Sequence, residues 1–90
     1  MNNKVFLVND KAKVAETESE VYIMFRGEYY VLNDTAKLIW TYITDGVQVN
    51  EIPGLLYNAF GGEMDKNVLQ QDCTELIEGL LSKNILLEKV

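Results

Sequence analysis

Residues 28–43 read EYYVLNDTAKLIWTYI, and the period of the chain changes inside this run. Glu28–Asn33 is rich in aromatic and β-branched residues, the composition of a strand. From Ala36 the apolar residues recur as Ala36, Ile39, Trp40 and Ile43, the spacing of one helix face. Between the two patterns Asn33, Asp34 and Thr35 can each cap a helix by accepting a hydrogen bond from its first free N–H groups. A strand therefore hands over directly to a helix, expected over about 34–45. Asp45-Gly46 ends that helix, with glycine available for the left-handed position.

Upstream, Glu20–Arg26 is a second strand run, and Gly27 separates it from Glu28. The turn centres on Arg26-Gly27 or on Gly27-Glu28. Either two-residue turn puts Val21, Ile23, Phe25, Tyr30 and Leu32 on one face and Tyr22, Met24, Tyr29 and Val31 on the other. A three-residue turn would break this agreement, because a one-residue slip swaps faces. The first set is the more apolar and is placed inward. The second is amphipathic: it is either a contact surface or a set of long side chains lying across the sheet. Asp10–Glu20 is polar and reads as a loop. Lys4–Asn9, with Val5, Phe6, Leu7 and Val8, reads as the first of three strands, at about 4–9, 20–26 and 28–33.

Downstream, a second helix is expected from about Val49 to Phe60, with Val49, Ile52, Leu55 or Leu56, Ala59 and Phe60 as its apolar stripe. Pro53 falls near its start, where a missing N–H is tolerated. Gly54 weakens it by about 1 kcal/mol relative to alanine, and Gly61-Gly62 stops it. Asp65 caps a third helix, over about 65–83, whose stripe is Val68, Leu69, Cys73, Leu76, Ile77, Leu80 and Leu81. Asn84 suits the left-handed terminating position, and Ile85–Lys89 runs extended, able to pair as a short strand. A three-stranded antiparallel sheet followed by three helices is an α+β pattern. It also suits a helix-turn-helix with a small wing.

The 90 residues, 48% hydrophobic and 24% charged, read as a single globular domain over 1–90. One cysteine excludes an internal disulfide, and the absence of histidine excludes the usual zinc ligand sets and Ser-His or Cys-His catalysis. Behind Met1-Asn2-Asn3-Lys4 there is no long apolar run, so no signal peptide is expected; nor is a membrane span, and the chain is read as cytoplasmic. The net charge is −6 and the eight basic residues are scattered, which argues against nucleic-acid binding. Other chemical candidates have plainer readings. Glu75/Glu78 and Glu16/Glu18/Glu20 are solvated charges rather than an acid/base pair. Cys73 is a buried, inert thiol. Gly61-Gly62 is a helix-ending loop rather than an anion site, and Trp40 is core. What remains is a binding module.

The run Tyr29-Tyr30-Val31-Leu32-Asn33-Asp34-Thr35-Ala36 with Ile39-Trp40 resembles the signature of the PqqD-like family. These are the peptide-recognition domains of pathways that modify ribosomally made peptides. Asp45-Gly46 and Val49-Asn50-Glu51-Ile52 resemble its "DG…TVxEI" segment. Asp72-Cys73, Leu76-Ile77, Leu80 and Asn84-Ile85-Leu86 resemble its "DVxxFLxxLxxxGLL" tail. The resemblance runs from about Val21 to Leu87. Gln48 stands where a capping threonine is usual, Pro53-Gly54 interrupts the second helix, and Asn84 replaces a glycine.

The resemblance implies a sheet packed on a winged-helix-like trio, and a leader peptide that adds as a strand to the edge of the third strand. Glu28, Tyr29, Tyr30, Val31 and Leu32 would make the backbone contacts. The leader's apolar side chains would enter a groove against Val68, Asp72, Glu75, Leu76 and Gly79 of the third helix. Gly79, costly mid-helix, marks close approach of a partner or eases helix packing; Asp72 is a peptide contact or a structural acceptor. The implied partners are a precursor leader peptide and a maturation enzyme, with no cofactor, metal, nucleic acid or membrane. A free-standing domain of this size resembles the recognition proteins of lasso-peptide systems, which deliver a precursor to a leader peptidase. The alternative is a stand-alone partner of a radical-enzyme system such as pyrroloquinoline quinone biosynthesis. From other classes, the rivals are a winged-helix regulator and a small structural or toxin–antitoxin-like interaction domain.

Overall fold

A computed structural model describes residues 5–88. Along the chain these form β1 (Phe6–Val8), β2 (Lys13–Glu16), β3 (Val21–Phe25), β4 (Glu28–Leu32), α1 (Asp34–Thr44), α2 (Ile52–Ala59), α3 (Lys66–Ser82) and β5 (Leu86–Glu88). The three-stranded antiparallel sheet has the order β2-β3-β4 and is followed by the three helices, as the sequence implies.

Its membership differs from the expectation in one strand. The run read as the first strand, 4–9, yields β1, which leaves this sheet and pairs antiparallel with β5, Val8 opposite Leu86. Lys4 and Lys89 lie outside the described residues. The third strand of the main sheet is β2, inside the stretch read as a loop. Its sequence, KVAE, shows little apolar alternation. An edge strand needs little, and charged residues there discourage pairing with other chains. Pairing to β3 and a tight turn hold it instead: the Thr17 N–H donates to the Glu20 carbonyl at 2.8 Å, and the Glu20 N–H to Thr17 Oγ1 at 3.0 Å.

The β3–β4 hairpin takes the first of the two turns allowed by sequence. Phe25 pairs with Glu28, so Arg26-Gly27 is the loop, and both residues have positive φ, 52° and 80°. That is the backbone of a type I′ turn, whose twist matches the strands. The register puts Ile23, Phe25 and Leu32 in the core, with Val21 and Tyr30 half-buried beside them. Tyr29 and Val31, on the other face, are 67% and 63% exposed.

Asn33 is the residue that caps α1: its Oδ1 accepts from the Ala36 N–H at 2.8 Å. Asp65 caps α3 through the Asn67 N–H at 2.7 Å. The expected helix 49–60 begins instead as one 3-10 turn, Val49–Glu51, and becomes α-helical at Ile52. Pro53 stands in the first α-helical turn, where its missing N–H costs nothing. All three α-helices end in the same paired hydrogen bonds. After α3 the Ile85 N–H donates to the Leu80 carbonyl and the Asn84 N–H to that of Leu81, both at 3.0 Å. This is the Schellman motif, with Asn84 in the left-handed position at φ 63°. It turns the chain so that β5 meets β1, where the Asn9 side-chain amide donates to the Asn84 carbonyl at 2.9 Å.

Ile39, Trp40 and Ile43 of α1, Leu56 of α2 and Leu69, Cys73, Ile77 and Leu80 of α3 join the inward sheet residues in one core. No polar side chain among the described residues is buried in it. Replacing Asn84 tests the left-handed cap. Asn84→Gly should leave stability unchanged or slightly raised. Asn84→Val should cost about 1–2 kcal/mol, a fall in Tm of roughly 4–16 °C in thermal melts.

Candidate functional site

Among the described residues β4 pairs with β3 alone, so its other edge is open. The turn decides what that edge offers. The pair closing a two-residue hairpin turn is hydrogen-bonded, and along an antiparallel ladder such pairs alternate with non-bonded ones. From the Phe25–Glu28 pair, Glu28, Tyr30 and Leu32 therefore direct their N–H and C=O groups to β3. Tyr29 and Val31 direct theirs outward, about 7 Å apart along the strand.

The inner lip of this edge carries Tyr30 and Leu32. Leu32 is buried in the core, while Tyr30 remains half-exposed. The Tyr30 hydroxyl donates to Glu28 Oε2 at 2.6 Å, and this bond raises the phenol pKa above its usual 10.0, with desolvation and the Glu28 charge adding to the shift. The Lys83 ammonium, just past the end of α3, sits 5.1 Å from the Tyr30 ring centroid.

Where β4 runs into α1, a hollow of about 360 Å³ opens against α3. Asn33, Ala36 and Ile39 form one wall, and Asp72, Glu75 and Leu76 the other. Three of the five helix residues singled out in the sequence thus face Asn33 and the first turns of α1, just past β4. Val68, 48% exposed in the first turns of α3, and Gly79 do not line this hollow. A Cβ built on Gly79 would meet nothing within 4 Å, so helix packing does not account for this glycine. Among the described residues Asp72 has no hydrogen-bond or ion-pair partner. Glu75 accepts from Gln71 Nε2 at 3.2 Å.

Sequence reading missed two parts of this surface. The first turn of α1 forms a wall, yet Asn33 and Ala36 read only as cap and core. Lys83 read as the last residue of a helix, and nothing local ties it to Tyr30.

The other chemical candidates lie elsewhere. Cys73 is 2% exposed, and burial pushes its thiol up to about 11. Glu16, Glu18, Glu20, Glu75 and Glu78 are exposed, and no cluster of three metal-ligating side chains forms among the described residues. On the outer face of the sheet Tyr22 and Tyr29 meet edge to face at 5.6 Å.

The family model for coenzyme PQQ synthesis protein D (PqqD) matches residues 6–86. Among solved structures, the chain is similar to a lasso peptide synthetase B1 complexed with the leader peptide. The two share 27% identity and a TM-score of 0.79, over 91% of this chain and 96% of that one. TbiB1 in complex with the TbiA(beta) leader peptide shares the fold, at 21% identity and a TM-score of 0.75, over 88% of this chain and 92% of that one. No curated protein matches.

Two outcomes follow from this geometry. Cys73 should resist an aromatic disulfide reagent at pH 8 in the native protein and react at once when denaturant is added; fast native labelling would contradict its burial. Gly79→Ala should raise stability by about 1 kcal/mol, or roughly 4–8 °C in Tm, because the new methyl enters open space.

Proposed function

Because the chain belongs to the PqqD family, we propose that it is a non-catalytic recognition protein for the leader segment of a ribosomally made precursor peptide. The leader adds as a strand along β4, and the protein delivers it to a processing enzyme. The observation that carries this reading is the open β4 edge standing beside the hollow walled by α1 and α3. Its likeness to a lasso peptide synthetase B1 complexed with a leader peptide favours a lasso-type system, with a leader peptidase as the receiving enzyme.

Strand addition explains how so small a surface can bind. Tyr29 and Val31 each offer one N–H and one C=O. Each bond is worth about 0.5–1.5 kcal/mol net, so the edge contributes roughly 2–6 kcal/mol. Micromolar binding needs about 8 kcal/mol, after association has cost several more. The backbone alone does not reach that figure. Apolar leader side chains must supply the rest, at about 1.5–3 kcal/mol for each one fully buried. Leucine- or aromatic-sized side chains entering beside Leu32 and Leu76 would do so. The edge thus gives affinity with little demand on sequence, and the groove gives specificity. Asp72, Glu75 and Leu76 face the leader in this reading, and Gly79 leaves room for its backbone along α3. The amphipathic outer face, with Tyr29 and Val31, stays uncovered and is the surface left for the processing enzyme.

Two proline variants test the proposal, because proline removes a single N–H. Val31→Pro deletes a donor on the open edge. It should keep the fold and weaken binding of a labelled cognate leader peptide at least tenfold by fluorescence polarisation. Tyr30→Pro deletes a ladder donor to β3 and should cost about 1–3 kcal/mol in thermal melts. Unchanged leader affinity in a folded Val31→Pro protein would sink strand addition at β4.

A further inference from the structure

The cluster of Glu28, Tyr30 and Lys83 sits at the β4 lip, beyond the hollow. Two features of it are unusual in a molecule with fourteen acidic and eight basic residues. The Lys83 ammonium has no carboxylate within ion-pairing distance among the described residues. Its contact is instead the Tyr30 ring. The carboxylate on the same lip, Glu28, is engaged through Oε2 by the Tyr30 hydroxyl. An exposed cation is therefore held over an aromatic face, with no counter-charge in ion-pairing distance among the described residues, beside the open edge.

Strand geometry says what arrives there. In a strand added antiparallel to β4, the residues opposite Tyr29 and Val31 are the hydrogen-bonded pairs. The residue opposite Tyr30 is a non-hydrogen-bonded pair, where cross-strand side chains come closest. Cross-strand neighbours share a face, so its side chain stands on the inner lip between the Tyr30 ring and Lys83. The residue opposite Leu32, two positions away, points the same way and enters toward the hollow.

We propose that the leader carries an aspartate or glutamate opposite Tyr30, paired with Lys83, and an apolar anchor two positions from it opposite Leu32. The Tyr30 ring packs the methylene part of the acidic side chain while the ammonium takes its carboxylate. Glu28 sets a limit on the same position: an acidic side chain is accepted on the Lys83 side and repelled on the Glu28 side, so this pair also fixes the leader's register. The inference rests on strand addition at β4, and its test separates the two.

A phage-displayed library of random peptides is selected on three immobilised proteins: wild type, Lys83→Glu and Val31→Pro. The wild type should enrich peptides with Asp or Glu two positions from an apolar residue. Lys83→Glu should enrich Lys or Arg at that position instead. Val31→Pro should enrich neither. For the best wild-type peptide, changing its acid to the amide should weaken binding about two- to fivefold, the worth of an exposed ion pair. High salt should erase that difference. The amide change should have no effect on binding to Lys83→Gln. Peptides that need an intact Val31 N–H but show no acid preference, or the same preference on Lys83→Glu, would overturn the charge selection and leave strand addition standing. Peptides enriched equally on Val31→Pro would overturn both. Lys83 is exposed and lies past the last turn of α3, so matching thermal melts are expected for its variants.

Discussion

The two-residue turn at Arg26-Gly27 governs most of what this molecule presents. By pairing Phe25 with Glu28 it sets the β3–β4 register. The register sends Ile23, Phe25 and Leu32 into the core and Tyr22, Tyr29 and Val31 out of it. It also sets the phase of the ladder, and so decides that the free N–H and C=O groups of the edge belong to Tyr29 and Val31. A turn one residue longer would have exchanged the faces of one strand. It would also have moved the free donors onto Tyr30 and Leu32 and turned those side chains away from the groove. The backbone groups free at the edge and the side chains turned to the groove fall on alternate residues because a strand has a period of two.

The second condition for a groove is a rigid far wall. α3 supplies it with 17 residues, an aspartate cap at its start and a Schellman motif at its end. Its buried stripe of Leu69, Cys73, Ile77 and Leu80 fixes its rotation, and that rotation leaves Asp72, Glu75 and Leu76 toward α1 and the end of β4. The core holding this arrangement contains no buried polar side chain among the described residues. The polar side chains around the hollow are therefore confined to the rim, where leaving them without a protein partner costs little.

Much of this was legible along the chain because it is local. The change of period in 28–43 places the strand and the helix that flank the site, and Asn33 and Asp65 are visible as caps. Gly27, Gly46 and Asn84 mark three of the chain reversals, each with positive φ. Either turn centre at Gly27 gives the same inward face, so that face follows from the sequence whichever turn forms. The stripe on α3 follows from helical spacing alone. Even the family resemblance rests on these runs, since its motifs are caps, stripes and turns in a particular order.

What could not be read is what joins distant parts of the chain. β2 is polar and short, and becomes a strand because β3 offers it a ladder. β1 has the composition of a strand, but its partner is β5, about eighty positions later. No periodicity within either segment names the other. The contact of Lys83 with Tyr30 and the wall that α1 contributes to the hollow are of the same kind. Hydrogen bonding and side-chain spacing within a turn, a helix or a strand act over a few residues, so the sequence by itself determines which elements form and which faces they bury. Which strand completes the sheet, which edge stays open and which side chains meet at its lip depend on how those faces satisfy one another at once, and only the tertiary structure decides that.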